Sequence, residues 1–95
     1  MKTEMTKLIT LLLNSEIPFD LTTDAMGNQH NQVWYPSRDN AVCDVICHEY
    51  SYGGKDGFLE MMGLLTDEEA EGDSVLGWLT ADEVYRRISA DYKGE

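Results

Sequence analysis

The chain has few basic side chains: seven Lys and Arg stand against eighteen Asp and Glu in 95 residues, a formal net charge of −11 at pH 7. Nucleic-acid phosphates and anionic membrane surfaces attract positive charge, so this balance argues against both as direct ligands. It leaves a protein partner, basic or metal-bearing, as the type of ligand that the charge favours.

The chain also has no long apolar run. A membrane-spanning helix needs about 20 consecutive apolar residues. The longest apolar run near the start, Leu11 to Leu13, is too short even for the core of a signal peptide. We therefore expect a cytoplasmic protein that does not enter a membrane.

Cysteine is scarce: the chain has two, Cys43 and Cys47. Two nearby cysteines do not make the disulfide framework of a small secreted domain, so we expect reduced thiols. His48 beside them suggests zinc, but branched apolar neighbours favour a strand, on which residues four apart are separated by about 13 Å. An apolar strand also raises a thiol pKa, which argues against a nucleophile. We predict no metal ligand, cofactor or catalytic residue here.

One domain, residues 1–95, is expected from the length and from a hydrophobic content of 42%. An amphipathic helix is predicted from Thr3 to Ser15, before Pro18, because apolar residues recur there at helical spacing. The residues of this stripe are Met5, Leu8, Ile9, Leu12 and Leu13.

Three extended segments are predicted after this helix. Phe19 to Thr22 and Gln32 to Tyr35 flank a turn-rich segment at 24–29, which is typical of a hairpin. Ala41 to Tyr50 has the valines, isoleucine and cysteines of a mostly buried strand. Together they predict a three-stranded antiparallel meander.

The middle of the chain has a glycine-rich segment followed by a short apolar segment. Ser51 to Gly57 contains three glycines and is predicted to be a loop. Phe58 to Leu65 fits either a short helix with Glu60 outside or a strand that crosses the core. We predict a helix, because Met and Leu favour helices over strands.

Two helix starts share the pattern G-x-L-T-x-(D/E)-E, one at 63–69 and one at 77–83. In each, the threonine and the glutamate three residues later can form a capping box. The second is predicted to open the final helix, which ends at Gly94. Its buried side is expected to carry Val84, Tyr85, Ile88 and Tyr92. The complete prediction is an α+β fold with the C-terminal helices packed on one sheet face.

Acidic residues are crowded at the first of these helix starts: Asp67, Glu68, Glu69, Glu71 and Asp73. Their spacing lacks the alternating loop of a calcium hand. A solvated face, with acids stabilised by the helix dipole, explains them without a ligand. The functional alternative is a binding site for a basic partner, and we take the five acids as candidate partner-binding residues.

Aromatic residues beside turns supply the other candidates. Trp34 and Tyr35 follow the predicted hairpin and precede a turn. Such side chains either seal a small core or anchor a partner. We favour the core role and keep Trp34 and Tyr35 as candidate partner-binding residues for the alternative.

A resemblance to other proteins rests on four segments: Trp34-Tyr35-Pro36, Ser51-Tyr52-Gly53-Gly54, Leu59 to Thr66, and Gly77 to Val84. With these segments, most of the chain resembles short uncharacterised proteins encoded by phages and prophages of Gram-positive bacteria. The resemblance implies an intracellular accessory protein that binds or inhibits a host or phage component. It implies no particular site residue, because those proteins have no established activity.

Three functions are compatible with these features. The first is an acidic, non-enzymatic interaction protein that binds a basic surface of a nucleic-acid-handling or defence protein. The second is a structural or regulatory homo-oligomer that associates through Trp34, Tyr35 and the Met61-Met62 pair. The third is a small metal-dependent enzyme using the acids of 67–73, for which the sequence shows no base, nucleophile or orienting partner.

Overall fold

The computed structural model describes residues 4–23, 30–47, 56–72 and 75–94. Within them the order of elements is α1 (Glu4–Asn14), β1 (Asp20–Thr23), β2 (His30–Tyr35), β3 (Cys43–Ile46), β4 (Leu59–Met62), α2 (Asp67–Gly72), β5 (Val75–Leu79) and α3 (Ala81–Lys93). The predicted α+β class is confirmed.

The strands form one antiparallel sheet in the order β1-β2-β3-β4-β5, so each strand lies beside the next one in the chain. Over the described ranges the sheet has five strands, not the three predicted. The hairpin loop predicted at 24–29, the end of the third predicted strand at 48–50, and most of the predicted glycine-rich loop at 51–55 lie outside the described residues.

The helix predicted for Phe58 to Leu65 is wrong, because Leu59–Met62 is a strand paired on both sides. Its side chains alternate: Leu59 and Met61 are fully buried, and Met62 is 49% exposed. This alternation and the pairing with β3 and β5 outweigh the helix propensity of Met and Leu. Strand β5 is not among the predicted elements, because the sequence predicts a helix start at 77–83.

The hydrophobic core lies between one face of the sheet and the two long helices. The sheet contributes Val33, Tyr35, Cys43, Val45, Leu59, Met61 and Leu79, and the helices contribute Met5, Leu8, Leu12, Val84 and Ile88. Two predicted members are not buried: Leu13 is 62% exposed and Tyr92 is 51% exposed. Successive residues of a helix are turned by about 100° around its axis. Leu13 and Tyr92 each lie at the edge of the apolar stripe, and their side chains therefore face solvent.

Helix α3 begins and ends where the sequence predicts. Thr80 and Glu83 form the capping box, and Gly94 takes the left-handed conformation that ends the helix. The backbone N–H of Ala81 also donates to Glu4 Oε1 at 2.8 Å, which ties the start of α3 to the start of α1. This bond is the main reason that the pKa of Glu4 is lowered.

Candidate functional site

The sheet has a second face, which points away from α1 and α3. Alternation along paired strands places two rows of side chains there. One row consists of Asp20, Trp34, Asp44, Met62 and Val75, and the other of Thr22, Gln32, Ile46 and Glu60. We call this surface the open sheet face, because α1 and α3 pack on the opposite side.

Apolar side chains are concentrated on the β3–β5 half of the open sheet face. This apolar patch consists of Ile46, Met62 and Val75 from the two rows, together with Phe58 and Trp78, which directly precede the core residues Leu59 and Leu79 and so alternate to the other face. Met62 is 49% exposed and Trp78 is 59% exposed. The rings of Phe58 and Trp78 lie 6.0 Å apart at an angle of 46°. Exposed large apolar side chains that adjoin one another are typical of an interaction surface.

Trp78 is held outward by an irregularity in β5. Between the pairs Leu59↔Leu79 and Met61↔Leu76, β5 has one residue more than β4. This bulge lets Leu76 and Leu79 both pack towards the core, while Trp78 adopts a φ of 58°. A bulky residue in this left-handed region is strained by about 1–2 kcal/mol. The fold therefore maintains an unfavourable backbone conformation at an exposed tryptophan.

The charged groups of the open sheet face are mainly carboxylates: Asp20, Asp44 and Glu60. Gln32 Nε2 donates to Asp44 Oδ2 at 2.9 Å, and the backbone N–H of Arg38 donates to Asp20 Oδ2 at 2.8 Å. The Arg38 guanidinium lies 6.0 Å from the centre of the Trp34 ring. Asp20 and Asp44 therefore each accept a hydrogen bond, and the β3–β5 half combines apolar side chains with two acids, Asp44 and Glu60.

The two predicted aromatic site residues lie on opposite faces of the sheet. Trp34 is on the open sheet face, where Nε1 donates to Thr22 Oγ1 at 2.8 Å. Tyr35 is buried, 3% exposed, and its hydroxyl donates to Asp91 Oδ2 at 2.8 Å. Burial, followed by the bond to Asp91, raises the pKa of Tyr35 to about 12. Tyr35 therefore belongs to the core, the other role that the sequence allowed.

The predicted acidic site is helix α2 and the residue after it. Asp67, Glu68 and Glu71 are exposed, and Asp73 lies outside the described residues. Glu69 is different, because its two carboxylate oxygens accept hydrogen bonds from Arg87 of α3 at 2.9 and 2.8 Å. Arg87 also donates to the carbonyl oxygen of Leu64 at 3.0 Å. The Glu69–Arg87 ion pair therefore connects α2 to α3.

The capping box predicted at the start of α2 is present. The backbone N–H of Glu69 donates to Thr66 Oγ1 at 3.2 Å, and the backbone N–H of Thr66 donates to Glu69 Oε1 at 2.8 Å. The hydrogen bond from Arg87, and then that from the Thr66 backbone, lower the pKa of Glu69 to about 2.

Stability should therefore depend on Glu69 in acid. Because folding lowers the pKa of Glu69 from 4.5 to about 2, its contribution is complete above pH 4.5 and is lost as the pH falls through that window. We expect the Glu69→Gln variant to lose stability at neutral pH and to show a shallower loss between pH 5 and pH 2 than the wild type. Urea unfolding across this range measures both effects.

Glu68→Gln is the matched control, because Glu68 is an exposed acid of the same helix. It should leave the acid dependence of unfolding close to that of the wild type. If the free energy of unfolding fell equally steeply with pH for the wild type and Glu69→Gln, the role assigned to the Glu69–Arg87 pair would be contradicted.

The two cysteines are both described and are not joined by a disulfide. Burial raises the pKa of Cys43 to about 12, with smaller effects from Asp44 and Asp91, and burial also raises the pKa of Cys47. Both thiols are therefore protonated at neutral pH, as an apolar strand predicts. His48, the third residue of the metal alternative, lies outside the described residues.

The metal and membrane alternatives require a cluster of ligand side chains or a long apolar helix. Among residues 4–23, 30–47, 56–72 and 75–94, no three His, Cys, Asp or Glu side chains are grouped so as to hold an ion. Over the same ranges, each helix is too short or too polar to cross a membrane.

Most of the apolar patch was not among the sequence-predicted site residues. The sequence predicts a surface contact for Met62, in the homo-oligomer alternative, but none for Phe58 or Val75. The available signal was the alternation of Leu59, Glu60 and Met61, which places Glu60 and its outward neighbours on one face once β4 is read as a strand. Comparison with protein families, curated proteins and solved structures finds no match to this chain.

Proposed function

We propose that the protein is a small acidic interaction protein that binds a basic protein through its open sheet face. The observation that carries this proposal is the β3–β5 half of that face. There, exposed Met62 pairs with Asp44 across β3 and β4, and exposed Trp78 lies in the bulge of β5 opposite Glu60.

The two kinds of side chain define the chemistry of the partner. The apolar patch gains free energy when it is covered by apolar surface, which protein partners provide. The acids favour Lys and Arg around that contact, and the net charge of −11 attracts a basic surface from a distance. Polyanions such as nucleic acids are disfavoured by the same charge.

The acids of α2 have a secondary role in this proposal. Glu69 is engaged by Arg87, so the helix offers Asp67, Glu68 and Glu71 as exposed charges. Charges of this kind mainly increase association rates and contribute little to the affinity of the final complex.

We further propose that the partner belongs to the nucleic-acid-handling or defence proteins of a bacterial cell or its phage. Such proteins expose clustered Lys and Arg to bind phosphates, and these clusters are the surfaces that an acidic protein can occupy. The intracellular accessory role and the phage or prophage origin that the sequence resemblance implies are part of this proposal.

Affinity capture with paired variants tests the proposal. We expect the wild type to retain a basic protein from bacterial lysate at about 50 mM salt and to release most of it at about 500 mM, where screening is strong. Asp44→Asn combined with Glu60→Gln should release it at lower salt. Glu68→Gln combined with Glu71→Gln removes the same charge from α2 and is the matched control. Equal capture by both double variants would contradict binding through the open sheet face.

A homo-oligomer is the second candidate function, because the exposure of Met62 and Trp78 also favours self-association. Two copies joined face to face would bring the Asp44 and Glu60 carboxylates of both copies together, which charge repulsion disfavours. Sedimentation over a wide concentration range distinguishes the two functions. A dimer that forms as concentration rises and persists at low salt, where repulsion between the carboxylates is strongest, would support self-association.

A further inference from the structure

We infer that the apolar patch is the docking site for an amphipathic, basic α-helix of the partner, and that Trp78 is its anchor residue. This inference rests on the proposed function and makes it specific. It names the occupant of the open sheet face and the side chain on which its affinity depends.

The dimensions of the patch suit a helix. Neighbouring strands lie about 4.8 Å apart, so the three strands β3, β4 and β5 present a surface about 10 Å across. A helix with its side chains has a diameter of about 10–12 Å. The opposite face of the same sheet already packs α1 and α3, and a helix on the open sheet face would form a third layer of the same kind.

The charges of the patch select a basic helix over a second copy of this chain. The described residues of β3, β4 and β5 include Asp44 and Glu60 and contain neither Lys nor Arg. A helix with an apolar stripe flanked by Lys and Arg would place its stripe on Met62 and Trp78 and its cations near these two acids. A second copy would bring acids against acids.

Trp78 has the properties of an anchor. Its side chain is 59% exposed and lies beside Phe58, with ring centres 6.0 Å apart. Tryptophan is enriched among the residues that dominate binding energy, since it buries a large area. The bulge in β5 keeps it outward with a φ of 58°, so the ring is in place before a partner arrives. Strained residues of this kind cluster at ligand-binding sites.

The test uses the full chain and a fluorescein-labelled helical peptide of leucine and lysine, with binding measured by anisotropy. A leucine and glutamate peptide of the same pattern is the charge control. We expect the lysine peptide to bind and the glutamate peptide not to bind. Trp78→Gly should lower the affinity for the lysine peptide by about 30-fold, the effect of losing a residue that dominates the binding energy.

Two controls separate docking from folding. Glycine accepts a φ of 58° without strain, so Trp78→Gly should unfold in urea at or above the wild-type midpoint. Tyr92→Ala removes another exposed aromatic, 51% exposed on α3, and should change peptide affinity by less than about twofold.

Several results would overturn the inference. They are an affinity of Trp78→Gly within about twofold of the wild type, equal binding of the two peptides, or no binding of the lysine peptide to the wild type. Any of them together with salt-sensitive capture of a basic protein would leave the proposed function standing. Loss of that capture would count against the proposed function itself.

Discussion

Replacing Gly63 by alanine is expected to lower the free energy of unfolding by about 3 kcal/mol, from overpacking and backbone strain together. A Cβ atom at this position would lie 2.4 Å from the carbonyl oxygen of Val42 and 2.9 Å from Cys43 Cα. Both are backbone atoms, so neither can move aside by changing rotamer. The φ of Gly63, +94°, is also one that L side chains rarely adopt.

Gly57→Ala is the matched control for this prediction. Gly57 has a similar φ of +84°, but a Cβ there would meet nothing within 4 Å. Gly57→Ala should lower the free energy of unfolding by about 1 kcal/mol, because only the backbone conformation is strained. Urea unfolding of the two variants and the wild type measures the difference. Equal losses would show that the close approach of Gly63 to β3 does not require glycine.

Gly63 also bears on the candidate site, because it directly follows β4 and lies against the start of β3. These two strands place Met62 beside Asp44 on the open sheet face. A side chain at position 63 would push the strands apart at that pair. We therefore expect Gly63→Ala to weaken partner binding as well as folding.

The parts of the fold that the sequence predicts well depend on neighbouring residues in the chain. Helix α1 follows from its apolar spacing, and the starts of α2 and α3 follow from Thr66 and Thr80 with their glutamates. Each of these signals lies within about two helical turns, so no knowledge of tertiary structure is needed. The α+β class could therefore be predicted.

The sequence allows a strand or a helix at β4 and does not decide between them, because the choice depends on contacts that are distant in the chain. Val45 lies opposite Met61 across β3 and β4, and this pairing decides the conformation of a short apolar segment whose own propensity favours a helix. Once β4 was misassigned, the sheet could not be extended to β5. Without β4 and β5 the sequence does not predict the open sheet face, and the apolar patch on it cannot be identified.

The candidate site was predicted only in part for a similar reason. A count of acids identifies α2, but it does not show that Arg87, from α3, already engages Glu69. The sequence identifies Trp78 as an aromatic residue, but not its positive φ or its exposure. Both properties arise from the bulge that β5 forms against β4.

The second large effect is expected in helix α1, at two adjacent leucines that the sequence pattern treats alike. Leu12 is fully buried and Leu13 is 62% exposed. Leu12→Ala should lower the free energy of unfolding by about 2–5 kcal/mol, because it removes buried methyl groups and leaves a cavity. Leu13→Ala should change it by less than about 0.5 kcal/mol, because alanine is the better helix former and little packing is lost.

The comparison is sharp because residue type, helix and replacement are all the same, so only the environment of the side chain differs. Urea unfolding followed by circular dichroism measures both variants. The total stability of a domain is about 5–15 kcal/mol, so Leu12→Ala removes a large fraction of it. Similar losses at the two positions would place Leu13 against apolar surface, and the stripe predicted from the sequence would then be the correct description of α1.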